Sequence, residues 1–203
     1  MTEVSSPVSP ARSPLEERVA VFGGSFNPPH VGHVLASVYV LSTAPVDHLV
    51  VVPVHLHPFA KDLAPYEDRF EMCLRAFGWI PHVTVSRIER DLGGDSFTLR
   101  TLQQLAAAHP RWRMRLVMGT DVVGEVEKWH RFEDVKSLAP PLVIPRSRAG
   151  EVLQEAALPD VSSTRVRTLL ATGAHEEVAA MVPSRVLAYV VERGLYGPEA
   201  PSL

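Results

Sequence analysis

Short hydrophobic runs and longer amphipathic stretches alternate along this chain. The short runs are rich in β-branched residues, as in buried strands, and they lie at residues 19–22, 48–53, 83–87, 115–118 and 142–144. The longer stretches have helical spacing and include residues 31–41, 65–79, with Pro65 in the first turn, and 97–108. This alternation predicts an α/β fold, a Rossmann-like doubly wound parallel sheet covered by helices, with a small helical C-terminal part over about 162–197.

The first seventeen residues show no hydrophobic period and are rich in Ser and Pro. They lack the apolar middle that a signal peptide requires, so we expect a flexible arm over 1–17. A single domain is expected over 18–203, because a chain of 203 residues with 46% hydrophobic residues can bury one sizeable core.

Charge and cysteine content narrow the class of protein. A net charge of -3 argues against a nucleic-acid-binding surface, which is normally basic. No segment is apolar over the length needed to cross a membrane. Cys73 is the single cysteine, so no disulfide can form within the chain, and a cytoplasmic location is expected. The sequence leaves the oligomeric state open, with a homodimer as one option.

The segment GGSFNPPHVGH, residues 23–33, lies where the first predicted strand gives way to a helix. Its glycines allow backbone N–H groups to approach an anion, and the helix N-terminus carries a positive partial charge. His30 and His33 are three residues apart and can face the same way. Ligands bind at the carboxyl ends of the strands in such sheets, so this segment is a candidate phosphate site.

Two other interpretations of the histidines are open. A zinc site would need a third ligand, for which His55 and His57 are the candidates, but no further ligand cluster exists and no protein-held metal is expected. Surface histidines satisfied by neighbouring groups are common, although two of them framed by this glycine pattern are not.

The segment resembles the GxFxPxHxGH signature of nucleotidyltransferases with a Rossmann-like fold. Asn27 stands where many members carry Asp. The resemblance implies that the triphosphate of ATP is held by residues of this segment, namely Gly23, Gly24, Ser25, Phe26, His30, Gly32 and His33.

A second motif, VSSTRVR, lies at residues 161–167. Taken alone it is an ordinary capped helix start, with Ser and Thr hydroxyls beside first-turn N–H groups and a forked guanidinium one turn on. It resembles the ISSTxxR element of the same family, more than one hundred residues after the first signature. The resemblance implies ATP contacts from Ser162, Ser163, Thr164 and Arg167.

Two further segments follow predicted strands. From the sequence alone, Lys61 is a solvated charge in a loop. The resemblance implies that it contacts the phosphates of both substrates. In this chain Phe59-Ala60 replace the Pro-His pair that usually precedes this lysine. Gly119 and Asp121 open a helix predicted to end near Trp129. Either Thr120 or Asp121 can be its N-cap, whereas the resemblance implies ATP binding by Gly119 and Asp121 and places Asp121 by the nucleotide ribose.

The two signatures imply nucleotidyl transfer, in which an acceptor phosphate attacks the α-phosphorus and pyrophosphate leaves. Positioning and charge stabilisation carry such reactions, so no covalent nucleophile is required. The expected catalytic residues are His30, His33, Lys61 and Arg167. Mg²⁺ is expected on the ATP phosphates, held by substrate oxygens and water.

For the acceptor, the chain resembles the bacterial nicotinate-nucleotide adenylyltransferases, which join nicotinate mononucleotide to the AMP part of ATP in NAD biosynthesis. The resemblance is carried by the segment around 95–102, the Trp129 region and the C-terminal helical segment. It implies acceptor contacts from Asn27, Lys61, Ser96, Phe97, Thr98, Trp129 and Arg148. For Trp129 the alternative is a place on the apolar core.

Three alternatives stay open from the sequence. Pantetheine-phosphate adenylyltransferases share both signatures, but their chains usually stop before the equivalent of residues 183–196. Nicotinamide mononucleotide is a second possible acceptor. A nucleotide-binding regulatory module without turnover is the third, and the intact signatures argue against it.

Overall fold

Strand β1 (Glu17–Gly24) is the middle strand of a five-stranded parallel sheet. The computed structural model of the protein describes residues 16–56, 62–124, 126, 129–145 and 159–197, except for the Asp121 side chain. The other strands are β2 (His48–Pro53), β3 (Val83–Val85), β4 (Trp112–Gly119) and β5 (Pro141–Ile144). The sheet order is β3-β2-β1-β4-β5, which confirms the predicted doubly wound sheet.

Helices cover both faces of the sheet. Those before β4 are α1 (Val31–Thr43), α2 (Tyr66–Phe77), α3 (Ile88–Leu92) and α4 (Thr98–Ala108). After β4 come α5 (Thr120–Val123), α6 (Phe132–Leu138), α7 (Ser163–Ala171), α8 (His175–Ala179) and α9 (Ser184–Glu192). The last three form the helical C-terminal part that the sequence predicts over 162–197.

Two apolar cores lie on opposite faces of the sheet, because alternate strand side chains point to opposite sides. Ala20, Leu49 and Val51 pack on one face against α1, α2 and the three C-terminal helices. Val19 and Val50 pack on the other face against α4 and α6. Both faces of the central strands are therefore buried, as is usual for parallel sheets.

Several predicted boundaries are wrong. Pro65 is the N-cap of α2 and not a residue of its first turn, and the helix ends at Phe77. β3 ends at Val85, and the unpredicted helix α3 follows it. The helix after β4 ends at Val123 instead of near Trp129, and α6 begins separately at Phe132.

The N-terminal boundary is close to the prediction, since β1 begins at Glu17, one residue before the predicted domain start. Residues 1–15 of the predicted arm lie outside the described residues. Across the described ranges, every helix is too short or too polar to cross a membrane.

Candidate nucleotide-binding site

The turn between β1 and α1 is shaped around the buried ring of Phe26. Phe26 has a φ of 45°, in the left-handed region that non-glycine residues rarely adopt, and its ring packs edge-on against Phe22 and Phe77. A Cβ atom on Gly24 would lie 3.2 Å from this ring, which requires a shift of the neighbouring atoms. Phe26 therefore holds the turn in place, and Gly24 makes room for its ring.

His30 and His33 lie together at the start of α1. His30 is the N-cap residue and is 2% exposed, and the two ring centroids are 3.7 Å apart. The backbone N–H of His30 donates to Nδ1 of His33 over 3.2 Å. Because Nδ1 accepts, a neutral His33 ring carries its proton on Nε2. The prediction that the two histidines face the same way is confirmed.

The first turn of α1 is partly engaged within the protein. The N–H of Val31 donates to the carbonyl oxygen of Met181, between α8 and α9, over 2.8 Å. This bond ties the helix start to the C-terminal part of the chain. The prediction of first-turn N–H groups facing an anion therefore cannot include Val31.

The second signature lies directly against the first. The Ser163 hydroxyl at the start of α7 donates to the Pro28 carbonyl oxygen over 2.8 Å. The Arg167 guanidinium donates from Nη1 to the Asn27 carbonyl oxygen, also over 2.8 Å, and from Nη2 to Thr164 Oγ1 over 3.4 Å. These contacts bring the two predicted signatures together beyond the carboxyl end of β1.

The serine hydroxyls of α7 have internal partners. Ser162 is the N-cap, and its hydroxyl accepts from the Arg165 N–H over 3.3 Å, while the Ser163 hydroxyl is bonded to Pro28. Ser162 thus fits the ordinary capping interpretation of the motif. The backbone N–H groups of Ser163 and Thr164 remain the candidates for anion binding in the first turn of α7, because that of Arg165 is bonded to Ser162.

Arg69 on α2 connects the segments beneath this site, and it was not predicted from the sequence. The side chain is 1% exposed and donates to four carbonyl oxygens. Its acceptors lie 2.6 to 3.3 Å away on three segments and belong to Ala64, Ser25, Val54 and His55. Burial lowers the pKa of Arg69. A lone arginine on the apolar face of an amphipathic helix is the signal that could have found it.

Tyr196 in the C-terminal segment is a second residue missed from the sequence. Its hydroxyl donates over 2.7 Å to Oδ1 of Asn27, which also accepts from the Ala64 N–H over 3.0 Å. Burial raises the pKa of Tyr196, so the hydroxyl keeps the proton that it donates. Asn27 is a predicted acceptor contact, and its side-chain oxygen is engaged within the protein.

The predicted acceptor segment forms the start of α4. Phe97 is the N-cap, is 37% exposed, and its ring centroid lies 5.3 Å from that of His130. Thr98 is the first helical residue. Trp129, next to His130, is half-buried and packs edge-on against Phe132. The structure thus brings the Ser96–Thr98 stretch close to the Trp129 region, while Trp129 also contacts the apolar core.

Comparison with known proteins assigns the family. A family model described as cytidylyltransferase-like matches residues 21–169. A protein of Anaeromyxobacter sp. (strain K) named "Probable nicotinate-nucleotide adenylyltransferase" is 44% identical over 181 residues, 88% of this chain and 96% of that protein. A protein of the same name from Myxococcus xanthus (strain DK1622) is 40% identical over 187 residues, 89% of this chain and 95% of its own. The chain belongs to the nicotinate-nucleotide adenylyltransferases, within the cytidylyltransferase-like family.

A solved structure supports the fold of this family member. The Plasmodium falciparum nicotinic acid mononucleotide adenylyltransferase complexed with NaAD superposes with a TM-score of 0.76, over 89% of this chain and 98% of that one. Since the two sequences are 15% identical, the likeness shows the fold alone. The predicted family, fold and nucleotidyltransferase class are confirmed.

Other predicted site residues of this nicotinate-nucleotide adenylyltransferase are placed only in part. Gly119 ends β4, next to β1 in the sheet, and is the N-cap of α5. Asp121 lies in α5, but its side chain is outside the described part of the chain. Three further residues lie wholly outside it, namely His57, Lys61 and Arg148. Within the described residues, no three His, Cys, Asp or Glu side chains are grouped to hold a metal ion.

Proposed function

We propose that this protein transfers the AMP moiety of ATP to nicotinate mononucleotide, releasing pyrophosphate and forming deamido-NAD. The observation that carries the proposal is the 2.8 Å bond from Arg167 to the Asn27 carbonyl oxygen, because it joins the two phosphate-binding signatures into one site. The site lies at the carboxyl ends of β1 and β4, the switch point of the sheet, where doubly wound folds bind ligands. Nicotinate mononucleotide is proposed as the acceptor because the relatives are named as nicotinate-nucleotide adenylyltransferases.

The reaction needs in-line displacement at the α-phosphorus. An oxygen of the acceptor phosphate forms a new bond to the α-phosphorus, the bond to the bridging α,β-oxygen breaks, and its electron pair leaves with pyrophosphate. No proton has to be removed from an ionised phosphate. The protein therefore contributes orientation and stabilisation of the developing negative charge.

His33 is suited to the α-phosphoryl oxygens. Its Nδ1 accepts from the backbone N–H of His30, so a neutral ring carries an Nε2–H donor at the start of α1. The helix dipole adds positive potential at the same end. His30, stacked beside it, serves the same phosphates. The bond from the His30 N–H orients the His33 ring before the nucleotide binds.

Arg167 takes the β- and γ-phosphates in this proposal, with first-turn N–H groups of α7 beside it. Its guanidinium is oriented by the Asn27 carbonyl and the Thr164 hydroxyl, which leaves further N–H donors of the fork for phosphate oxygens. Lys61 adds charge to the phosphates of both substrates. Together these groups draw off charge from the leaving pyrophosphate.

Mg²⁺ belongs on the ATP phosphates in this scheme. The described site presents imidazoles, a guanidinium and backbone N–H groups, which suit phosphate oxygens, and it has no carboxylate cluster for a protein-held ion. A substrate-borne Mg²⁺, held by phosphate oxygens and water, fits this donor set. When bound, the ion neutralises phosphate charge.

The acceptor lies against the start of α4. The Thr98 N–H at the first position of this helix suits the nicotinate carboxylate, with the helix dipole in support, whereas the Phe97 N–H donates to the Asp95 carbonyl oxygen over 3.0 Å. The exposed ring of Phe97 and the Trp129 indole supply apolar surface for the pyridine ring. Arg148 is assigned to the acceptor phosphate. We expect small-molecule substrates, no nucleic-acid partner and a cytoplasmic location.

A pyrophosphate-release assay with three acceptors tests the proposal. Purified protein, ATP and Mg²⁺ are incubated with nicotinate mononucleotide, nicotinamide mononucleotide or phosphopantetheine. We expect the highest kcat/KM with nicotinate mononucleotide, with deamido-NAD formed in equal amount to pyrophosphate. Preference for either other acceptor would replace the substrate assignment. No release with any of the three would favour the nucleotide-binding regulatory module.

A further inference from the structure

Glu89 on α3 is a buried carboxylate that the proposed chemistry does not use. It is 7% exposed, and its two oxygens accept from three donors. The His55 N–H donates to Oε2 over 3.1 Å, the Thr101 hydroxyl donates to Oε1 over 3.0 Å, and the Ser96 hydroxyl is also bonded to the carboxylate. Since a buried carboxylate is destabilising without such partners, its presence here requires an explanation.

The donors come from two segments that border the proposed acceptor site. His55 follows β2 and leads toward Lys61, whereas Ser96 and Thr101 lie at and just after the start of α4. Glu89 therefore contacts both segments, although His55 and Ser96 are 41 residues apart in the sequence.

Ser96 completes the connection. Its hydroxyl oxygen accepts from the N–H groups of His55 and Leu56 over 3.0 and 3.2 Å, so its own proton is directed to Glu89. The Ser96 N–H donates to the Leu56 carbonyl oxygen over 2.9 Å, and Leu56 forms a parallel bridge with Asp95. The hydroxyl of Ser96, a residue predicted to contact the acceptor, thus joins the two segments.

We propose that Glu89 is a positioning residue for acceptor recognition, which fixes the first turn of α4 relative to the carboxyl end of β2. The inference rests on the proposed function, in which that turn binds the acceptor carboxylate. Glu89 touches neither substrate in this arrangement. It acts through Ser96, Thr101 and His55, and a displacement of the α4 turn is transmitted to the Thr98 N–H.

The variant Glu89→Gln tests this assignment. An amide keeps one acceptor oxygen and turns an NH₂ group either toward the His55 N–H, which then loses this partner, or toward the Thr101 hydroxyl, which must then accept instead of donate. In both orientations the charge-assisted hydrogen bonds of the carboxylate are lost. We expect KM for the mononucleotide acceptor to rise about tenfold, while KM for ATP stays within about twofold. Glu71→Gln, a more exposed carboxylate on α2 that pairs with Arg75 of the same helix, is the matched control and leaves both values unchanged.

Amide hydrogen exchange of the substrate-free protein provides a second readout. Glu89→Gln should speed exchange at His55 and Leu56 more than at amides of the central strand β1. A purely structural role would lower thermal stability without separating the two KM values. Equal changes in both KM values, or unchanged exchange at His55 and Leu56, would overturn the inference.

The same experiment separates this inference from the proposed function. If wild-type protein turns over only another acceptor, the substrate assignment fails, and KM for that acceptor then tests Glu89. If wild-type protein turns over none, the proposed function fails, and the exchange measurement alone decides whether Glu89 holds the two segments together.

Discussion

The Arg167 guanidinium donates to the carbonyl oxygen of Asn27 over 2.8 Å, across a sequence separation of 140 residues. Asn27 lies in the turn after β1, and Arg167 lies one turn into α7, so this bond joins the two signatures. The Ser163 hydroxyl, bonded to the Pro28 carbonyl oxygen, adds a second link. The charged clamp is therefore aligned with the β1–α1 turn before a nucleotide binds, which is the preorganisation that charge stabilisation requires.

Replacing Arg167 by Lys should impair transfer strongly. Lysine keeps the charge but cannot donate to the Asn27 carbonyl and to phosphate oxygens through one planar fork. We expect kcat to fall about 10²-fold, the loss typical of removing a donor aligned with developing charge. Steady-state kinetics with saturating ATP measure it. Arg165→Lys, at an exposed position on the same helix, is the matched control and should leave kcat unchanged.

His33→Ala should lower the rate of transfer far more than it weakens acceptor binding. The imidazole contact strengthens as charge develops on the α-phosphoryl oxygens, so its loss appears in kcat. We expect kcat to fall about 10²-fold or more, with KM for the acceptor changed by less than about threefold. The exposed His175→Ala is the control. Turnover that equals that of the wild type would refute the role of His33.

Thr98→Pro tests recognition of the acceptor carboxylate. Thr98 is the first residue of α4, where proline is tolerated, and Phe97 before it has the extended backbone that proline requires (φ -86°, ψ 124°). The substitution therefore removes one N–H without breaking the helix. We expect KM for nicotinate mononucleotide to rise about tenfold, with a smaller change for nicotinamide mononucleotide. Equal losses for both substrates would count against carboxylate recognition at this N–H.

Glu89 should make the free energy of unfolding depend on pH. Burial raises the pKa of Glu89 above its ordinary 4.5, although hydrogen bonds from Ser96, His55 and Thr101 oppose the shift. The folded protein thus binds this proton more tightly than the unfolded chain does. The contribution of Glu89 to stability is therefore complete below pH 4.5 and is lost as the pH rises through the raised pKa.

Chemical denaturation of wild type and Glu89→Gln between pH 4 and 8 measures the contribution of Glu89 to the free energy of unfolding. The free energy of unfolding of the wild type minus that of the variant should decrease as the pH rises, by no more than about 1.4 kcal/mol per pH unit. Glu71→Gln, a more exposed carboxylate on α2, provides the control. A difference for Glu89→Gln that is independent of pH would show that its pKa is not raised.

The sequence pattern predicts the sheet and both signatures well, because these depend on local spacing. Strand alternation and the glycine–histidine spacing of residues 23–33 are visible in short windows. Arg69, Glu89 and Tyr196 were missed because their partners lie on segments distant in sequence. Arg69, for example, donates to the Ser25 carbonyl oxygen, 44 residues earlier. A hydrophobic period within a short window carries no information about contacts between segments that are distant in sequence.

The short helices were missed for a related reason. α3 has five residues and follows β3 closely, so it shows no helical period, and its buried Glu89 reads as a surface charge. Asn27 and Ser96 were predicted to contact the acceptor, whereas the structure gives their side-chain oxygens partners within the protein. Residue type at a signature position therefore indicates the region of a site better than it indicates the atom in contact.

A crystal structure with a non-hydrolysable ATP analogue and Mg²⁺ would show directly whether the two signatures bind one triphosphate. We predict that one triphosphate contacts both signatures, with His33 near the α-phosphate and Arg167 on the β- and γ-phosphates. The Arg167 bond to the Asn27 carbonyl should persist in the complex. A triphosphate that contacts one signature alone, or that lies away from the carboxyl ends of β1 and β4, would contradict the account.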